Sequence, residues 1–172
     1  MTSAATVDVV EAPSGFFVPD PSLVYSGTYW RGADQDWSWT HGAIAAGFTT
    51  ASLLISAFDV DFEFGEFDEI FAMDDGVWVS LGLLAGASDV FAFTEFDLAS
   101  NFFDDIAEGL NVRIDIDTGN SGWLVTLSKS VITTDGAAPP PPDPGVVPLP
   151  AAGWLMLAGL GGLAAVRRRK SV

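Results

Sequence analysis

The chain has 172 residues, 49% hydrophobic and 17% charged, and its 23 acidic against 7 basic side chains give a formal charge of −16. That length admits one domain of roughly 100–150 residues with appendages, and a surface so negative repels phosphate backbones and suits divalent cations, which argues against nucleic acid as a partner. The absence of cysteine removes disulfides, thiolate metal sites and cysteine nucleophiles, while the single histidine, His41, leaves a Ser/His/Asp triad only one possible base.

Residues 1–21 read as an N-terminal segment carrying a first strand. Met1 to Thr6 has neither a basic region nor an apolar stretch, yet Ser3-Ala4-Ala5 looks like the last residues before a signal-peptidase cut, so a longer precursor is expected. No proline occurs from Ser22 to Ala138. Because proline is excluded from central strands and helix interiors, this stretch marks the folded domain, taken as residues 22–136.

Inside it the dominant period is two. In Leu53 to Phe62 the alternation sets Phe58, Val60 and Phe62 on one face of a strand and Asp59 and Asp61 on the other. Asp74-Asp75-Gly76 predicts a hairpin between Ile70–Ala72 and Val77–Leu81. Val90–Phe96, Val112–Asp117 and Trp123–Ser128 read as further strands, and Ser100–Leu110 as a short helix or structured crossover. Many short strands with turns every eight to twelve residues predict an all-β fold, an antiparallel β-sandwich of jelly-roll-like form, with the aromatic side chains filling the space between two sheets.

Three groups of residues offer chemistry. Asp59, Asp61, Glu63, Glu66, Asp68 and Glu69 crowd six acids into eleven residues, and Gly65 permits a turn that returns Glu66 or Asp68 beside Asp59 and Asp61. Like charges so close are relieved by a hard cation with six to eight oxygen ligands, which points to Ca²⁺ as a cofactor held by Asp59, Asp61, Glu66 and Asp68; the alternative is a solvated acidic sheet edge. Asp115 and Asp117 form a second oxygen-rich strand end with the same two readings, and Asp104, Asp105 and Glu108 cap and solvate the short helix. Trp37 and Trp39 alternate with His41, so the three share a strand face: either core, with His41 a satisfied structural histidine, or an exposed platform for stacking a polysaccharide. No pair of carboxylates is singled out as a glycosidase acid and base, and the chain is expected to be non-enzymatic.

Seven of the ten prolines lie between Pro139 and Pro150, so residues 137–147 read as an extended proline-rich linker. Ala151 to Val166 carries no charged side chain; as a helix it is roughly 24 Å long, enough to enter a bilayer and nearly to span it. Arg167, Arg168, Arg169 and Lys170 then form a basic stop expected to stay cytoplasmic.

Val147-Pro148-Leu149-Pro150-Ala151, the apolar segment and Arg167–Lys170 together resemble the tripartite PEP-CTERM sorting signal in its VPLPA-CTERM variety, covering residues 148–172 and the valine before them. The resemblance implies an exosortase, a membrane-embedded sorting enzyme of Gram-negative bacteria, as partner. It also implies a membrane-anchored precursor delivered to the cell surface or the extracellular matrix. A weaker likeness to the β-sandwich domains of such sorted proteins rests on Ala57–Asp61, Gly65–Ile70 and Ile114–Trp123 and implies no catalytic residues. The expectation is an exported, secreted or surface-held protein with a display role; the alternative is a Ca²⁺-dependent carbohydrate-binding module.

Overall fold

Alternating apolar and polar side chains commit a segment to a strand with one face on a core. The computed structural model describes residues 5–33, 35–117 and 122–135. Among them are the strands β1 (Thr6–Glu11), β2 (Arg31–Gly32), β3 (Trp37–Thr40), β4 (Ala51–Phe58), β5 (Glu69–Asp74), β6 (Val77–Leu83), β7 (Phe91–Leu98), β8 (Asn111–Asp115) and β9 (Leu124–Thr134), with one helix, α1 (Phe103–Glu108). One sheet has the order β1-β9-β4-β7, with β2 also on β9; the other has the order β3-β8-β5-β6. Every pairing is antiparallel.

The two sheets share one core. Leu53 and Ile55 of β4, Ile70 and Ala72 of β5, Val112 and Ile114 of β8, and Ile132 of β9 have no exposed surface and belong to one contact cluster. Each large aliphatic side chain so buried contributes about 1.5–3 kcal/mol. The crossover from β7 to β8 passes through a 3₁₀ turn at Ser100–Phe102 and then α1, which add Phe102 and Ile106 to this core.

β9 organises the first sheet. One edge pairs with β4 along its length, and the other is divided between β1, from Thr6↔Thr134 to Glu11↔Lys129, and β2, with Arg31↔Val125. Between them the Val18 N–H donates to the Leu127 carbonyl at 2.9 Å. The N-terminal segment thus joins the sheet through β1 and through Val18. It also builds a second small cluster on the outer side of the sheet, where Val18 and Val24 cover Phe58 with Tyr29 and Phe91 beside them.

The β5–β6 hairpin forms as its residues require. Asp75 (φ 50°) and Gly76 (φ 81°) are both left-handed, the pairing of a type I′ turn whose twist matches that of the flanking strands. The expected strand through Phe62 does not continue so far. β4 ends at Phe58, Asp59 turns left-handed (φ 64°), and Phe62–Phe64 is a 3₁₀ turn. The flip at Asp59 sends Phe58 to the outer cluster and Val60 into the main core, so they do not share a face. None of the helices among the described residues is long and apolar enough to cross a membrane. The proline-rich linker and the apolar segment expected to form a C-terminal helix lie outside the described residues.

Candidate functional site

The loop from Asp59 to Asp68 joins the two sheets and carries the densest acidic run. Gly65, at φ 99°, closes the 3₁₀ turn and reverses the chain. The Asp61 N–H donates to Glu66 Oε2 at 2.5 Å, and the Glu66 N–H donates back to the Asp61 carbonyl at 3.3 Å. Two residues further on, Asp68 Oδ1 accepts the Asp117 N–H at 3.1 Å, while Asp117 Oδ2 accepts the Phe67 N–H at 3.2 Å. Reciprocal bonds thus bring Asp61, Glu66, Asp68 and Asp117 together at the end of β8.

Glu66 and Asp68 have no exposed surface. Each uses one carboxylate oxygen on a backbone N–H, and the other, Glu66 Oε1 and Asp68 Oδ2, has no hydrogen-bond donor; Asp61 Oδ1 is buried in the same condition. None of the ion pairs among the described residues involves Glu66 or Asp68. Burial, the largest cause, raises both carboxyls, Glu66 to about 8 with Asp68 and Asp61 adding repulsion, and Asp68 to about 6 with Asp117 and Asp115 adding theirs. The two interact directly and titrate as a pair.

Of the four carboxylates expected to share a cation, three come together. Asp59 does not join them: its Oδ1 accepts the Asp89 N–H at 2.7 Å, in a separate group where Tyr25 donates to Asp89. Glu63 is exposed. Asp117, expected in a second site, belongs instead to the first, because β8 runs beside β5 and ends there. No group of three or more His, Asp or Glu side chains among the described residues is arranged to hold a metal ion as it stands. Asp104 and Asp105 occupy the first turn of α1, where Asp105 Oδ2 also accepts the Asp75 N–H of the hairpin at 3.2 Å.

Trp37 and Trp39 share a face as expected, with ring centroids 4.8 Å apart, but that face is the core. Trp39 is 7% exposed, and Phe17 stands edge-on to both rings at 4.8 and 5.3 Å. Phe16 covers Trp37 from a further side, and Gly15 approaches so closely that an added Cβ would meet the Trp37 ring at 2.7 Å. The pair does not present an open stacking platform. The sorting residues Val147, Pro148, Leu149, Pro150 and Ala151 and the basic run Arg167, Arg168, Arg169 and Lys170 lie outside the described residues.

One constellation has no sequence signal. His41 is 2% exposed; its Nδ1 lies 2.7 Å from Asp8 Oδ2 and its Nε2 2.7 Å from Ser130 Oγ. Burial holds its basicity below the ordinary imidazole value against the opposing pull of Asp8. A neutral ring then donates from Nδ1 and accepts from the Ser130 hydroxyl. The order Ser–His–Asp matches a nucleophilic triad, but Ser130 lies within β9 with no exposed surface. The three residues join β1, the segment after β3, and β9.

No protein-family model matches the chain, and no curated protein matches it. Solved structures resemble it distantly. A latent aurone synthase (polyphenol oxidase) aligns at 14% identity and TM-score 0.42, over 60% of this chain, and this chain spans 25% of that protein. The coat protein of Tobacco streak virus aligns at 16% identity and TM-score 0.39, over 83% of this chain and 94% of its own. A xylanase from Cellvibrio japonicus, solved with xylopentaose, aligns at 16% identity and TM-score 0.38, over 78% of this chain and 28% of its own.

Proposed function

We propose that this is an exported, non-enzymatic surface or matrix protein of the Gram-negative envelope. Its C-terminal segment serves as an address, and its acidic β-sandwich, of jelly-roll-like form, is the part displayed. The observation that carries this reading is the ordered succession of Val147–Ala151, an uncharged apolar run through Val166 and the basic Arg167–Lys170, following a proline-rich stretch. Each part has a physical role. The apolar run partitions into lipid as a helix, the basic run stays on the cytoplasmic side, and the proline-rich stretch sets the domain away from the bilayer. Val147–Ala151 is then held where a membrane-embedded exosortase reaches it.

The sandwich fits this use. The last strand among the described residues, β9, ends at Thr134, before the prolines begin, and His41 and Ser130 of the Ser–His–Asp constellation are buried. Replacing Val147–Ala151 with alanines and serines, and separately neutralising Arg167–Lys170, tests the reading by cell fractionation. Loss of surface signal with accumulation of the precursor in the inner membrane is expected for the first change, and loss of correct orientation for the second. Unchanged distribution in both variants contradicts it.

A further inference from the structure

β4 ends at Phe58, which stays on the outer side of its sheet, and the left-handed turn at Asp59 follows at once. The segment ahead of β2 lies over the same spot: Thr126 Oγ1 on β9 donates to the Val24 carbonyl at 2.9 Å, and Arg31 pairs with Val125. Between the two is a cavity of about 170 Å³ whose lining includes Val24, Tyr25, Trp30, Phe58, Asp59 and Thr126. Three of these are aromatic. Tyr25 and Phe58 meet edge to face, ring centroids 5.4 Å apart at 85°, so they make two walls at right angles rather than one flat platform. Phe91 backs Phe58 at 5.1 Å. Asp89 holds the polar side in place: its carboxylate accepts from the Tyr25 hydroxyl, and its backbone N–H donates to Asp59 Oδ1 at 2.7 Å. None of the described residues lining the cavity is basic, and Arg31, next to Trp30 in sequence, is committed to the Phe16 ring at 3.4 Å.

We propose that this cavity binds the quaternary ammonium group of a small solute of the choline class. Aromatic rings attract a cation through their quadrupole, most strongly where water is excluded, and the Asp59 carboxylate adds direct charge attraction. Other cations fit worse. A hard metal ion takes six to eight oxygen ligands, and Asp59 is the single acid in the lining. A primary ammonium brings three N–H donors that rings leave unsatisfied. Methyl groups on nitrogen make no such demand and pack against apolar walls. The formal charge of −16 draws cations toward the chain as a whole. The cavity lies within residues 24–126 and owes nothing to residues 147–172, so failure of the sorting reading leaves it intact.

Titration of the full-length chain with choline chloride, followed by calorimetry and by amide resonances, tests the proposal. The expected result is saturable binding with Kd on the order of 1 mM or tighter, with shifts at Tyr25, Trp30 and Asp59. The neutral alcohol in which carbon replaces choline's nitrogen has the same shape without the charge, and should bind at least about tenfold more weakly. Phosphocholine, the lipid-headgroup form, brings a phosphate toward Asp59 and Asp89 and should also bind more weakly than choline. Asp59→Asn keeps an acceptor for the Asp89 N–H and tolerates the left-handed backbone; it should weaken choline about three- to tenfold and leave the neutral alcohol unchanged. Should that variant fail to fold, the three ligands on the wild-type chain still decide. No saturable binding, equal affinity for choline and the neutral alcohol, tighter binding of phosphocholine, or displacement of choline by methyl glucoside overturns the proposal.

Discussion

Two polar clusters in this sandwich, each built round buried side chains, are opposites. Around His41 each ring nitrogen meets one partner at 2.7 Å, Asp8 on β1 and Ser130 on β9. Around Glu66 and Asp68 the backbone satisfies half of the carboxylate oxygens and leaves the rest bare. A satisfied buried network contributes rigidity and specifies one arrangement of strands. An unsatisfied one is a cost, since each buried oxygen without a donor forgoes the hydrogen bonds it made to water.

The sharpest way to break this comparison is to remove the satisfied histidine. His41→Ala leaves Asp8 and Ser130 without their shared partner and opens a cavity, with an expected loss of roughly 3–5 kcal/mol in denaturant unfolding. β1 should release first, read as accelerated amide exchange from Thr6 to Glu11. Unaltered exchange there would deny the network its clamping role.

Next in size is Gly86→Ala. A Cβ at this position would stand 2.5 Å from Val60 Cβ and 2.7 Å from the Val60 carbonyl, both rigid neighbours. Overpacking of this kind costs about 1–3 kcal/mol, read as a lower unfolding midpoint in denaturant, and an unchanged midpoint would show that Val60 gives way. Glu66→Gln has the smallest effect and the opposite sign. It removes like-charge repulsion from a buried pair while keeping its shape, and should stabilise the cation-free protein by about 1 kcal/mol above neutral pH. Destabilisation of similar size at that pH would place Glu66 with the satisfied groups.

pH separates the two clusters further. The carboxyl pair is raised in the fold, so its stabilising contribution is fully present below its unfolded values, 3.8 and 4.5, and is lost as pH climbs through about 6 and about 8. His41 is lowered in the fold, so its contribution is complete above its unfolded value of 6.5 and is lost as pH falls below it. Unfolding midpoints measured without divalent ions should therefore decline on both sides of mildly acidic pH. Glu66→Gln should flatten the alkaline limb alone, and a decline on the acid side only would contradict the pairing.

The sequence made some of this legible and hid the rest for physical reasons. The β5–β6 hairpin could be read because Asp75-Gly76 tolerates two positive φ values and the flanking residues alternate. The all-β, two-sheet character followed from the same period, and the helical crossover after β7 from the break in that period over Ser100–Leu110. The end of β4 could not be read: alternation continues through Phe62, and nothing local announces the left-handed turn at Asp59 that parts Phe58 from Val60. Trp37 and Trp39 were legible as one face, but which side that face looks toward depends on Phe16 and Phe17, twenty residues upstream and brought in by the fold. Gly65 did announce the turn that returns Glu66 to Asp61, whereas Asp117 enters through the pairing of β8 with β5. The clamp on His41 joins residues 33 and 89 positions away, a separation at which no spacing rule operates.

The most direct test of the central claim, that residues 147–172 address an acidic sandwich to the cell surface, is the intact mass of the protein recovered from that surface. The account predicts a chain whose sandwich is complete through Asp135 and whose apolar and basic segments have been removed by processing at or near Val147–Ala151. A full-length chain still carrying Arg167–Lys170 and found in the cytosol would contradict it.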